Sequence, residues 1–209
     1  MTGNLVGVLL SFALSFSLLI IAMSVHEFAH GWIAYKLGDP TAKYSGRLTL
    51  NPLAHIDFFW TFLLPLFLFV TSGGKFVFGA AKPVPINYRA LRNPKRDMVL
   101  IGAGGPVVNF IFAGLLAALI RIIPLPLVIH SIIINLIVIN VILGVFNLIP
   151  IPPLDGSRIL TGLLPEPLAS SYAGIEPYSF LVLLALIWLG ALNWIVWPAV
   201  EFILRLLGV

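Results

Sequence analysis

Cysteine is absent from the 209 residues, which excludes disulfides, thiolate metal ligands and a cysteine nucleophile. Any metal site must therefore be built from histidine and carboxylate. Charge is scarce too: Asp, Glu, Lys and Arg make up 10% of the chain, against roughly 25% in a soluble globular domain. Twelve Lys and Arg against eight Asp and Glu leave a formal +4, too few and too dispersed for a nucleic-acid footprint, so no nucleic-acid partner is expected. No internal repeat or low-complexity tract marks a second unit, and a single domain over residues 1–209 is expected. What is abundant is apolar sequence, 60% of the chain, gathered in runs long enough for lipid.

A bilayer core of about 30 Å asks for roughly 20 apolar helical residues. Four stretches qualify: residues 5–34, 98–120, 127–149 and 178–197. A fifth, residues 58–70, is short, contains Pro65 and runs at once into Ser72, Gly73, Gly74 and Lys75, so a re-entrant or interfacial piece is expected. The first stretch has no basic leader and contains His26, Glu27 and His30, which argues for a retained helix rather than a cleaved signal. Lys36, Lys43 and Arg47 lie in one loop, and Lys75, Lys82, Arg89, Arg92, Lys95 and Arg96 in the next. The positive-inside rule puts both loops in the cytoplasm, provided that residues 58–70 do not cross, and leaves the N-terminus outside. Residues 75–87 (KFVFGAAKPVPIN) read as an edge strand or an extended segment near the membrane surface, and residues 197–209 as a surface helix.

The chemistry sits in HEFAH. Histidines four apart lie one turn apart on one helix face, so His26 and His30 can offer ring nitrogens to one zinc ion, with Glu27 beside them as general base. The alternative is a structural polar cluster with a protonated glutamate, but two histidines and a glutamate within an apolar helix are costly unless they bind something. A catalytic zinc needs a third protein ligand. Asp39, Asp57, Asp97, Asp155, Glu166, Glu176, Glu201, His55 and His130 are the candidates. Asp155 is preferred because it follows an apolar helix interrupted by Pro150, Pro152 and Pro153, and irregular backbone at membrane depth is tolerated only inside protein or beside a watery cavity. Two crossings lie between HEFAH and Asp155, so the two motifs share one face of the membrane. His55 is read as an interfacial loop histidine with a ligand or gating role as the alternative, and His130 is given no metal role.

HEFAH in a membrane helix, a glycine-rich stretch (IGAGGPVVNF), and Asn147, Pro150, Asp155 and Gly156 in an N-x-x-P-x-x-x-x-D-G pattern together resemble the site-2 protease family of intramembrane zinc metalloproteases. The resemblance covers about residues 24–160. It implies an all-α polytopic membrane protein in compact form, without PDZ or nucleotide-binding modules. Four or five transmembrane helices would surround a three-helix catalytic core, with a short re-entrant segment and a small membrane-associated β element. It also implies cleavage within or beside the transmembrane helix of a membrane-protein substrate. Asn109 would then face the catalytic cavity, where its amide could bond substrate backbone or the oxyanion. The GAGG run is read chiefly as a close-packing surface, Asn135 and Asn140 as interhelical hydrogen-bonding groups, and Asn147 as an oxyanion or substrate-backbone donor. The expected enzyme resides in the cell membrane, with zinc as cofactor, the active site toward the cytoplasm and residues 76–87 as a strand edge for unwound substrate. A metal transporter or an idle scaffold is the rival class; the first lacks paired broken helices and the second would need a damaged motif.

Overall fold

The computed structural model describes residues 2–71 and 81–209. Helix α1 (Thr2–Leu37) carries the first apolar run, and two of its hydroxyls are closed within the helix: Ser17 donates to the Ala13 carbonyl and Ser24 to that of Ile20. This is how a polar side chain survives in lipid. The helix ends at Gly38, whose φ of +111° lets the chain turn while the Asp39 N–H returns to the Ala34 carbonyl at 2.9 Å. A single turn, α2 (Thr41–Tyr44), follows.

A wide π-type turn of six residues (Phe58–Leu63) then leads into the eight-residue helix α3 (Leu64–Thr71), too short to span. Phe62 meets Phe16, and Phe69 meets Phe12, so α3 runs back along α1 away from HEFAH. The flanks of this excursion meet, the Lys82 N–H donating to the His55 carbonyl at 2.9 Å. It therefore begins and ends at the same level of α1. Part of the expected strand over residues 75–87 lies outside the described residues. Residues 81–87 pair with no strand, so the β element is not found among the described residues, and of the two expected forms the unpaired segment is the one seen there. Pro83 and Pro85 have no N–H to give, and those of Lys82, Val84 and Asn87 go to His55, Glu27 and Asp39 instead of a ladder.

Helix α4 (Pro94–Ile122) starts with Pro94 at its first turn and a reciprocal cap, Asn93 N–H to Asp97 Oδ2 and Asp97 N–H to the Asn93 carbonyl. Helix α5 (Leu127–Asn147) antiparallels it. The chain then breaks over residues 148–154, with a cis Pro152–Pro153 bond, before α6 (Asp155–Leu163) and α7 (Leu168–Ala173). The central helix is α4, which packs against α1, α5 and α6. The helices α1 (over Leu9–Leu37), α4 and α5 are long and apolar enough to cross a membrane. They leave side chains such as Leu10 (66% exposed) and Leu115 (65%) uncovered, which is tolerable only against lipid.

The expected fourth span, residues 178–197, is not one helix. Gly190, at φ +71°, divides it into α8 (Ser179–Trp188) and α9 (Ala191–Leu207). Nor is the C-terminal stretch a surface helix: α9 runs through it, and Val196 and Val200 are buried with Ile137 and Val141 of α5 and Ala113 and Ala117 of α4. Its end is tied down by Arg121, which donates to the Leu207 carbonyl at 2.7 Å.

Candidate metal centre

Four elements converge on one buried point. His26 and His30 project from the same face of α1, and Asp155 from the first residue of α6, where the proline-broken segment has turned the chain back toward α4. Their reach is short: His26 Nε2 lies 2.9 Å from Asp155 Oδ2, His30 Nε2 lies 3.1 Å from the same oxygen, and the two Nε2 atoms are 3.0 Å apart. All three residues are buried. Ligand atoms about 2.0–2.1 Å from a tetrahedral zinc would stand about 3.3 Å from one another, close to what is found.

Proton bookkeeping shows why a cation fits. His30 Nδ1 lies 2.7 Å from the Ile101 carbonyl, which can only accept, so that nitrogen carries the hydrogen. His26 Nδ1 lies 2.6 Å from Asn109 Oδ1, again an acceptor. In the neutral rings both Nε2 atoms are then lone pairs, facing each other and a carboxylate oxygen. One added proton would serve one of the three contacts, whereas a divalent cation serves them all. Asp155 Oδ1 is held separately by Arg158 at 3.1 Å.

Space for the ion is made by a missing side chain. A Cβ on Gly105 would lie 2.5 Å from the Nε2 atoms of both histidines. The GAGG run does serve close packing, as Gly104 leaves room for Ile33 and Gly102 backs onto the Asp155 carbonyl and Arg158. Gly105 does more, since it keeps the point between the rings open. No sequence signal separates it from its neighbours.

Five of the other carboxylate and histidine candidates have partners of their own. Asp39, fully buried, accepts from the Thr41 and Asn87 N–H groups and the Thr41 hydroxyl; Asp97 caps α4; Glu166 pairs with Lys95 and Glu201 with Arg205. His55 donates through Nε2 to the Thr49 carbonyl and stays outside the cluster. Among the described residues, His26, His30 and Asp155 form the one group of three or more histidines and acids able to share a metal ion. Asn109 does not point its amide into open space: its Oδ1 meets His26 and its Nδ2 meets Asn140 Oδ1 at 2.7 Å, the interhelical bond expected of Asn140. Asn147 turns its amide onto the Leu143 carbonyl of its own helix. Glu27, half-buried, accepts from the Val84 N–H at 2.9 Å, a contact that sequence spacing did not foretell.

The profile of peptidase family M50 matches residues 125–189, which include Asp155. YwhC of Bacillus subtilis, which carries a zinc-metalloprotease name, is 38% identical over 192 residues, covering 86% of this chain and 82% of its own. Two proteins called Rip2, also bearing zinc-metalloprotease names, are each 30% identical. That of Mycolicibacterium smegmatis matches 83% of this chain and 66% of its own length, and that of Mycobacterium tuberculosis 91% and 72%. No solved structure matches.

Proposed function

The chain belongs to peptidase family M50, the site-2 protease family, and from that membership we propose that it hydrolyses peptide bonds within or next to the transmembrane segments of other membrane proteins. It is a zinc metalloprotease and an integral membrane protein. The observation that carries the proposal is the buried meeting of two imidazole nitrogens from a helix of membrane length with a carboxylate at the start of α6.

In the proposed mechanism His26, His30 and Asp155 would hold the zinc, which when bound would supply Lewis acidity for water activation and for polarising the scissile carbonyl. Glu27 takes a proton from the attacking water at a carboxylate oxygen and passes it to the departing amide nitrogen. Its Oε2 is steadied by the Val84 N–H, so one oxygen is held while the other stays available. Asn147 is the better donor for the oxyanion, because exchanging its Leu143 carbonyl for substrate costs one local bond. Asn109 is engaged at both ends, and its NH2 would have to leave Asn140 and the Ala22 carbonyl to do the same.

A helical substrate shields its own carbonyls, so it must unwind before one can reach the centre. Strand addition to residues 81–87 is limited by Pro83 and Pro85, which offer carbonyls but no donors. The basic loops on either side of residues 58–71 favour a cytoplasmic position for the site, in the cell membrane. The test is Glu27→Gln on a transmembrane-segment substrate in detergent. Cleavage should fall by about 10²–10⁴ with zinc retained. Unchanged cleavage would falsify the assigned base.

A further inference from the structure

A zinc-ligating histidine must present the nitrogen that lacks a proton, and nothing in an imidazole decides which one that is. For His30 the decision is made by backbone, the Ile101 carbonyl. His26 faces an amide side chain, and an amide can turn over and offer either its oxygen or its NH2. The choice at His26 must therefore be fixed further away.

It is fixed at a main-chain carbonyl of α5. Asn140 Nδ2 lies 2.8 Å from the Leu136 carbonyl, which only accepts, so the NH2 of Asn140 points there and its oxygen points the other way. That oxygen lies 2.7 Å from Asn109 Nδ2, which obliges Asn109 to present its own NH2 to α5. A second acceptor, the Ala22 carbonyl at 3.4 Å, draws on the same NH2. The oxygen of Asn109 is left for His26 Nδ1, which must then be the donor, and Nε2 is the bare nitrogen turned toward Asp155 and His30. Each step follows from an acceptor with no hydrogen to give. Both asparagines are fully buried, so no water competes for these groups, and a reversed amide would leave an unpaired donor or acceptor in a medium where that is costly.

We propose that Asn140 and Asn109 form a directional relay that sets the tautomer of His26 from helix α5, making both of them positioning residues for the zinc site. The relay rests on the zinc reading above, since its purpose is to keep a lone pair on Nε2. It gives α5 a part in the centre although that helix contributes no ligand. Outer partners of this kind are worth about 10–100-fold in metal affinity.

The test separates direction from packing. Asn140→Leu removes the acceptor, so Asn109 can turn over, offer NH2 to His26 and move the proton to Nε2; zinc retention against a competing chelator should fall at least about tenfold. Asn140→Asp keeps an acceptor facing Asn109 and should hold zinc as the parent does. Adding Asn109→Asp to Asn140→Leu should restore retention, because an ionised carboxylate accepts from Nδ1 whichever way it turns. ¹⁵N-histidine spectra of the metal-free protein give a readout independent of zinc: His26 protonated at Nδ1 in the parent and in Asn140→Asp, and shifted toward Nε2 in Asn140→Leu. Asn140→Ala replaces the leucine variant if that one fails to fold. Parent-like retention and spectra in the leucine or alanine variant, or no rescue by Asn109→Asp, would overturn the relay. A parent that binds no zinc yet shows the tautomer shift would instead remove the zinc reading and keep the relay.

Discussion

The two halves of this site are built differently. On the metal side every group comes from a helix or helix start and is buried: His26 and His30 on α1, Asp155 on α6, and their partners Ile101 and Asn109 on α4. On the side of Glu27 the nearest partner is the Val84 N–H, from an extended segment with no regular partner strand. That segment is pinned by single backbone bonds at Lys82 and Asn87, to His55 and Asp39. The lesson is a division of labour: the ligands sit where packed helices hold them, and the base sits beside a segment held by single hydrogen bonds rather than by a ladder or a helix.

The comparison breaks most sharply at the ligands. Asp155→Ala should lose both cleavage and zinc, measured as metal content of purified protein, while helicity by circular dichroism stays near parental. Gly105→Ala should come next, its methyl falling where both Nε2 atoms converge, so zinc content and cleavage drop together without the removal of any ligand. Glu27→Gln belongs to the other half and should separate the two readouts, as described above. The smallest effect is expected at the pin on the extended segment: Asp39→Ala gives up a buried acceptor for Asn87 and Thr41, lowering stability by about 1–3 kcal/mol in denaturant titration. Its cleavage should fall only a few-fold and its zinc content not at all. A large zinc loss in Asp39→Ala would erase the distinction between the halves.

How much of this was legible beforehand follows the range of the forces involved. HEFAH could be read because four-residue spacing is local helix geometry, and the two rings do meet across one turn. Asp155 could be read because three prolines within four residues, Pro150, Pro152 and Pro153, break an apolar helix, as the single Pro106 and Pro198 inside α4 and α9 do not. The helical run over residues 178–197 was misjudged because hydropathy averages over Gly190, and a positive φ leaves no mark on an apolar window. Residues 81–87 were legible only in part: β-branched composition and the prolines point to an edge strand or an extended segment, and the choice between them turns on N–H groups whose destinations depend on Glu27, His55 and Asp39, far away in sequence. Gly105 and the orientation of Asn109 were invisible for the same cause, being facts about what lies opposite them across α1 and α5.

Zinc K-edge absorption on the purified protein puts the centre itself to the question. The expected spectrum is a low-coordinate shell of nitrogen and oxygen at about 2.0–2.1 Å, with scattering from two imidazoles and none from sulfur. One imidazole should disappear in His30→Ala. A parent protein without zinc, or the same two-imidazole shell surviving in His30→Ala, would contradict the assignment of His26, His30 and Asp155 as the ligands.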